Sequence, residues 1–318
     1  MSSFDRPTPT KQKPKFSVAI TTEGYKNLIN NTLGDPERAK RFIASITSSV
    51  AVNPALQECD AGTILAGALL GESLNLSPSP QLGQYYLIPF DCKLKGPDGK
   101  TIWQKDENGN RIKDEKGRWV AVTEKRAQFV LGYKGYCQLA LRSGYYADLD
   151  SMPIHQGEYL GKDPTTGKPR FKFIEDDDLR DTLPIIGYMA YFEYLNGFKK
   201  VLYWSKQKMM SHADTYSPAF SAAAYKKMQN GEIADKNMWM YSSFWYKQFD
   251  SMAIKTMLRQ LISKWGVMST ELQTAYVQDG GLVSLGDNGE IVSTPEEQME
   301  LTQPEAMNVV ENVNLADL

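Results

Sequence analysis

The chain reads as an α+β protein: a small antiparallel β-sheet with hairpins packed against several α-helices, a long C-terminal core helix, and a disordered tail. Three stretches carry that reading. Residues 185–204 alternate around Asn196-Gly197, a hairpin signal. Residues 243–265 carry an apolar stripe of about 3.6-residue period, through Trp245, Phe249, Met252, Leu258, Leu261, Ile262 and Trp265. Residues 128–144 run from an apolar strand straight into a short helix, with Gly132, Tyr133, Lys134, Gly135 and Tyr136 at the junction.

In chain order, residues 1–16 are polar and rich in Pro and Lys and read as a disordered basic arm. Asp35-Pro36 opens a helix that continues through Phe42, Ile43 and Ile46, with Asp as N-cap and Pro in the first turn. Asp60 caps another, carrying Ile64, Leu65, Ala68 and Leu69. Its glycines at 62, 67 and 71 make it a poor isolated helix, so close packing has to sustain it. Residues 84–89 read as a strand. Residues 91–126 alternate charge clusters with the turn signals Pro97-Asp98-Gly99, Asn108-Gly109 and Lys116-Gly117, which predicts one or two projecting hairpins before 127–131 re-enters the core.

Beyond the 133–144 helix, strands are expected at 147–155 and 171–174, separated by a loop at 162–168. A two-residue turn at Asn196-Gly197 pairs Tyr194 with Lys199 and Glu193 with Lys200. Tyr191 and Leu202 then share one face of the hairpin, Phe192 and Val201 the other, and both faces are apolar enough to be covered. Ser205 caps a short helix, residues 219–228 form another, and 243–265 is one long helix with Trp245 and Trp265 in the core. From Asp279 onward the sequence is polar and acidic. One core domain over 17–278, bearing the 91–126 insertion and followed by a flexible acidic tail over 279–318, is therefore expected.

Composition narrows the function. No apolar run approaches the ~20 residues of a membrane span, and the first residues lack a signal peptide's apolar stretch. Three cysteines without metal-type spacing suit a reducing cytoplasm. The net charge of −2 conceals segregation: no Lys or Arg follows Lys264, whereas ten acids do, leaving 28 acids against 36 bases in residues 1–264. A basic body of +8 and a tail of −10 point to a polyanionic partner.

Signs of catalysis are weak. Gly96-Pro97-Asp98-Gly99-Lys100-Thr101 has two residues between its glycines where a phosphate-binding loop needs four. His155 and His212 lack a metal-ligand pattern, and His155 reads as a structural polar group. Glu175-Asp176-Asp177-Asp178 could attract magnesium, which keeps open a metal-dependent nucleic-acid-processing enzyme, although such runs are usually solvated loops. No cofactor, metal site or catalytic residue is indicated. A protein-interaction module with a basic face is the remaining alternative.

Lys134 at a helix start, with glycines that let a backbone approach and tyrosines that offer flat faces, suits a single nucleic-acid strand. Leu131-Gly132-Tyr133-Lys134-Gly135-Tyr136 with Leu139-Ala140-Leu141-Arg142-Ser143-Gly144 resembles the RecT family of phage single-strand annealing recombinases. So do Phe249 through Thr256 with Arg259, Ser263-Lys264-Trp265 and Glu271-Leu272-Gln273, and the hairpin Asn196-Gly197-Phe198-Lys199-Lys200 leading to Tyr203-Trp204. The resemblance is strong over 127–276 and weaker over 60–90. Residues 91–126 are longer than the brief turn expected there, so no role is implied for them.

The resemblance implies a cytoplasmic protein of the bacterial host that coats single-stranded DNA and anneals it to its complement without ATP, as a ring or helical filament. A phage exonuclease and a host single-strand-binding protein are its implied partners. Annealing needs a backbone held in a basic groove with base edges free. Lys134 is the first candidate for a phosphate contact, joined by Arg142, Lys199, Lys255 and Arg259. Lys200 is a candidate that Glu193 could instead satisfy, and Lys264 one that its own helix terminus could satisfy. Tyr133, Tyr136 and Trp204 are candidates for stacking, with core packing as the alternative. Asp250 is expected to orient a nearby cation.

Overall fold

The computed structural model describes residues 14–96, 98–114, 117–217, 219–286 and 290–293. It is mixed α and β, and the chain forms two compact units rather than one core: residues up to 130 with 281–293, and residues 131–280.

The first unit opens with helices α1 (Phe16–Ala19), α2 (Glu23–Leu33), α3 (Pro36–Ala51) and α4 (Ala61–Ser73). Phe16 is buried, so the end of the proposed arm belongs to the fold; residues 1–13 lie outside the described residues. Asp35 accepts the Glu37 N–H at 2.9 Å and Asp60 accepts those of Gly62 and Thr63, the two caps the sequence predicts. Ala39, Phe42, Ile46 and Val50 form the buried stripe of α3. By contrast α4 is buried nearly all round. It packs on a sheet of strands β1 (Tyr85–Lys93), β2 (Thr123–Leu131), β8 (Gly281–Leu285) and β9 (Ile291–Ser293), ordered β1-β2-β8-β9.

Strands β8 and β9 correct the expected boundary of the tail. Leu282 and Val283 are buried, and β8 pairs antiparallel with β2 through Gln128–Leu282 and Phe129–Gly281. The apolar run Gly281-Leu282-Val283 is what a covered strand requires, and the acidic residues around it masked that signal. Residues 294–318, the remainder of the proposed tail, lie outside the described residues.

The connection from β1 to β2 is a β-hairpin that branches twice. Short antiparallel bridges join Lys95 with Thr101, Trp103 with Ala121, Lys105 with Arg111 and Lys113 with Trp119. At one junction the backbones of Leu94, Ile102 and Val122 close a ring of three hydrogen bonds of 2.8–2.9 Å; at the next, Gln104, Ile112 and Val120 close another. Gly99, Gly109 and Gly117 sit at positive φ in the three tips, as the turn signals require.

The second unit is built on the antiparallel sheet β3-β6-β7, where β3 is Tyr146–His155, β6 Ile185–Tyr194 and β7 Lys199–Ser205. A two-stranded ladder, β4 (Tyr159–Lys162) and β5 (Pro169–Phe171), replaces the strand expected at 171–174. Helices α5 (Tyr133–Arg142), α6 (Asp177–Thr182), α7 (Lys206–Tyr216), α8 (Ala222–Gln229), α9 (Phe244–Lys247), α10 (Phe249–Trp265) and α11 (Thr270–Gln278) complete it.

The β6–β7 register is one residue away from the expected one: Glu193 faces Lys199, Phe192 faces Lys200 and Tyr191 faces Val201. The loop has three residues, with the Gly197 N–H bonded to Tyr194 O and Gly197 at φ +84°, the pattern of a turn closed by a left-handed glycine. The sheet is covered on both sides as expected. Phe249 of α10 meets the Tyr188 ring on one face, while Tyr159 stacks on Tyr203 at 4.2 Å on the other. The expected 243–265 helix is broken at Gln248 (φ −142°, ψ 57°), which separates α9 from α10.

Candidate nucleic-acid interface

Strand β2 feeds α5 through Gly132, and the helix then covers the open edge of β3. The Tyr133 hydroxyl donates to Asp150 Oδ1 at 2.6 Å and accepts the Ser151 N–H at 3.2 Å. Tyr133 is half-buried, its hydroxyl spent on the sheet edge; burial first, then the Asp150 carboxylate, push its pKa up. Lys134, one residue on, is exposed and has no ion-pair partner among the described residues. Arg142 is exposed at the other end of α5, within electrostatic reach of Glu271.

Tyr136, Lys255 and Arg259 do come together, the tyrosine buried and the two cations half-buried, around a residue expected in the tail. The buried Asp279 carboxylate accepts the Leu131 N–H at 2.9 Å and the Tyr136 hydroxyl at 2.8 Å, and lies 3.3 Å from Lys255 Nζ and 3.5 Å from Arg259 Nε. Tyr136 is 0 % exposed, so its ring presents no face to a base. Arg259 also lies over the Tyr276 ring at 4.7 Å. Burial works against its charge, but neighbouring Tyr136 and Asp279 outweigh that and raise its pKa. These three residues form an internal charge cluster joining α5, α10 and the end of α11, in place of the open groove wall expected of them.

Near the β6–β7 hairpin, Lys199 is exposed and pairs with Glu193 at 2.7 Å, the partner that the expected register gave to Lys200. Lys200 instead lies over the Trp265 ring at 4.5 Å. Trp265, expected in the core, is 39 % exposed at the last position of α10, where the Tyr194 hydroxyl donates to its carbonyl and, two residues beyond the helix, the Tyr146 hydroxyl donates to Val267 O. Trp204 is buried, with Lys208 over its ring at 4.5 Å and His212 against its edge, so a base finds it covered. Trp245 is buried as expected. Asp250 accepts the Tyr188 hydroxyl and lies 3.9 Å from Lys206 Nζ, the orienting role expected of it.

One concentration of charge escaped the sequence reading. Lys208 of α7, Lys162 at the end of β4 and Lys264 at the end of α10 stand close enough that the last two help to lower the Lys208 pKa, after partial burial as the larger cause. None of the three has an ion-pair partner among the described residues. They come from three elements spread over about a hundred residues of chain. Nothing in the local sequence brings the three together.

The acids and histidines are placed structurally. Glu158 is fully buried and receives Arg180 Nε at 2.6 Å and the N–H groups of His155 and Ile174. Burial alone would raise its pKa; Arg180 and those N–H groups outweigh it and hold the carboxyl below the usual range. Asp176 caps α6 through the Leu179 N–H. Among the described residues no cluster of three or more His, Cys, Asp or Glu is placed to hold a metal, and no helix is long and apolar enough to cross a membrane.

Comparison with known proteins fits this arrangement. The RecT family model matches residues 40–291, well over half of the chain. A Bacillus subtilis (strain 168) protein named "Uncharacterized protein YqaK" is 30 % identical over 277 residues, covering 85 % of this chain and 77 % of that one. "Protein RecT" of Escherichia coli (strain K12) is 30 % identical over 120 residues, 38 % of this chain and 35 % of that one. The chain belongs to the RecT family, and that membership supports DNA binding and single-strand annealing in recombination.

Proposed function

We propose that this protein holds single-stranded DNA by its phosphates and anneals it to a complementary strand without ATP, as a homo-oligomeric ring or helical filament. The crowding of Lys162, Lys208 and Lys264 carries the reading. Lys162 and Lys264 disfavour the charge on Lys208, no carboxylate among the described residues pairs with any of the three, and a row of phosphates relieves that repulsion while releasing counterions. Lys199, Lys200 on Trp265, Lys134 and Arg142 are further candidate cations within the same unit. Annealing forms no covalent bond, so no cofactor enters the scheme; what it requires is a backbone gripped through charge and base edges left open to test pairing. An exonuclease supplying the strand and a host single-strand-binding protein competing for it are the expected partners, in the bacterial cytoplasm.

The test mixes the protein with one labelled oligonucleotide, adds the complement without ATP, in parallel with a chelator and with magnesium, and follows annealing rate, strand integrity and particle size. Faster annealing by large particles is expected. If about four phosphates are neutralised, the log–log salt slope of binding is near about −3. No acceleration of annealing, or magnesium-dependent loss of the labelled strand, would overturn the proposal.

A further inference from the structure

The branched hairpin between β1 and β2 has no counterpart among the motifs that carried the family resemblance, and its aspartates and its stem cations are treated differently. The three aspartates lie at the tips and are used there. Asp106 accepts the N–H groups of Asn108 and Asn110, Asp98 that of Lys100, and Asp114 that of Arg118 together with its guanidinium. Along the stem between the tips, the cations are unneutralised. Lys105, Arg111 and Lys113 are exposed, and none has an ion-pair partner among the described residues. Two of them lie against indole rings: Arg111 is 5.9 Å from the Trp103 ring and 6.0 Å from the Trp119 ring, and Lys113 is 4.6 Å from Trp119. The two rings of backbone hydrogen bonds fix the bridges that carry them, although the branch has little apolar interior of its own. Trp119 remains 45 % exposed.

An array of unneutralised cations interleaved with exposed indole is complementary to a chain of phosphates bearing planar bases. We infer that this branch is a second contact for single-stranded DNA, with Lys105, Arg111 and Lys113 on phosphates and the open part of the Trp119 ring against a base. An acidic protein would satisfy the cations but leave the indole surface unused, and duplex DNA would keep its bases stacked away from it. The inference rests on the proposal that the chain binds single strands; the experiment separates the two.

Binding of a labelled oligothymidylate to the full-length chain is measured across a salt series for the unaltered protein, for R111Q/K113Q, for W119A, and for K100Q/R118Q. The last removes the same charge from the tips, where both cations already face carboxylates. R111Q/K113Q is expected to reduce the log–log salt slope by about 1.4, and W119A to weaken binding about tenfold or more. K100Q/R118Q is expected to leave the slope unchanged. Equal loss in both double variants would reduce the effect to net charge and overturn the inference, as would loss confined to a duplex probe, or equal competition by polyglutamate. Unchanged binding by R111Q/K113Q and W119A would overturn it while leaving the proposed function standing. Failure of the unaltered chain to bind the oligonucleotide would overturn both.

Discussion

Asp279 has more cationic neighbours than its single charge can neutralise, and it is buried among them. Removing that charge leaves the half-buried Lys255 and Arg259 without a counter-ion, the costly half of a broken ion pair. Asp279→Asn is therefore expected to lower stability by about 3–5 kcal/mol, measured from the urea midpoint and slope. A loss below 1 kcal/mol would show that water reaches the two cations. The hub was not legible in the sequence because its bonds to Tyr136 and Leu131 span 143 and 148 residues. What was legible is each residue's capacity: an aromatic that packs, a lysine and an arginine four apart on one helix face. Lys255 and Arg259 were expected on DNA phosphates; in the structure both face the Asp279 carboxylate.

At the scale of elements, α4 shows how a weak local signal can be decided by packing. A Cβ on Gly71 would lie 2.3 Å from the Tyr85 ring, which is itself buried and stacked on Phe129 at 5.1 Å. Alanine is the better helix former by about 1 kcal/mol, yet overpacking a filled core costs about 1–3 kcal/mol. Since the clash is severe and the ring has nowhere to go, Gly71→Ala is expected to lower the urea midpoint; a raised midpoint would mean that Tyr85 repacks freely. The caps at Asp35, Asp60 and Ser205 and the glycine tips of the branched hairpin were readable because each is a contact within a few residues. The β6–β7 register was not, because Asn196-Gly197 is compatible with a two-residue turn or with a three-residue loop, and the choice shifts every cross-strand pair.

On the scale of the whole molecule, charge and chain end have to be separated. Truncation after residue 278 removes Asp279 and strand β8 with its buried Leu282 and Val283, so this variant is expected to lose cooperative folding. Truncation after residue 293 removes only residues that carry six acids and no base. That variant is expected to keep the full chain's urea midpoint and to bind single strands more tightly at low salt, the difference fading as screening shortens to about 10 Å near 0.1 M. Unchanged affinity at low salt would show that the acidic segment does not compete with DNA.

By itself the sequence determined the mixed α and β composition, most element positions, the segregation of charge and, through three motifs in order, the family. These follow from local periodicity, turn chemistry and residue counts, which need no long-range contact. The tertiary structure alone decided which cations face solvent and which face Asp279, that residues 281–285 complete a sheet, and that Lys162, Lys208 and Lys264 crowd together. Such facts depend on which distant segments share one volume, and burial and Coulomb energy are set by that sharing rather than by neighbours along the chain.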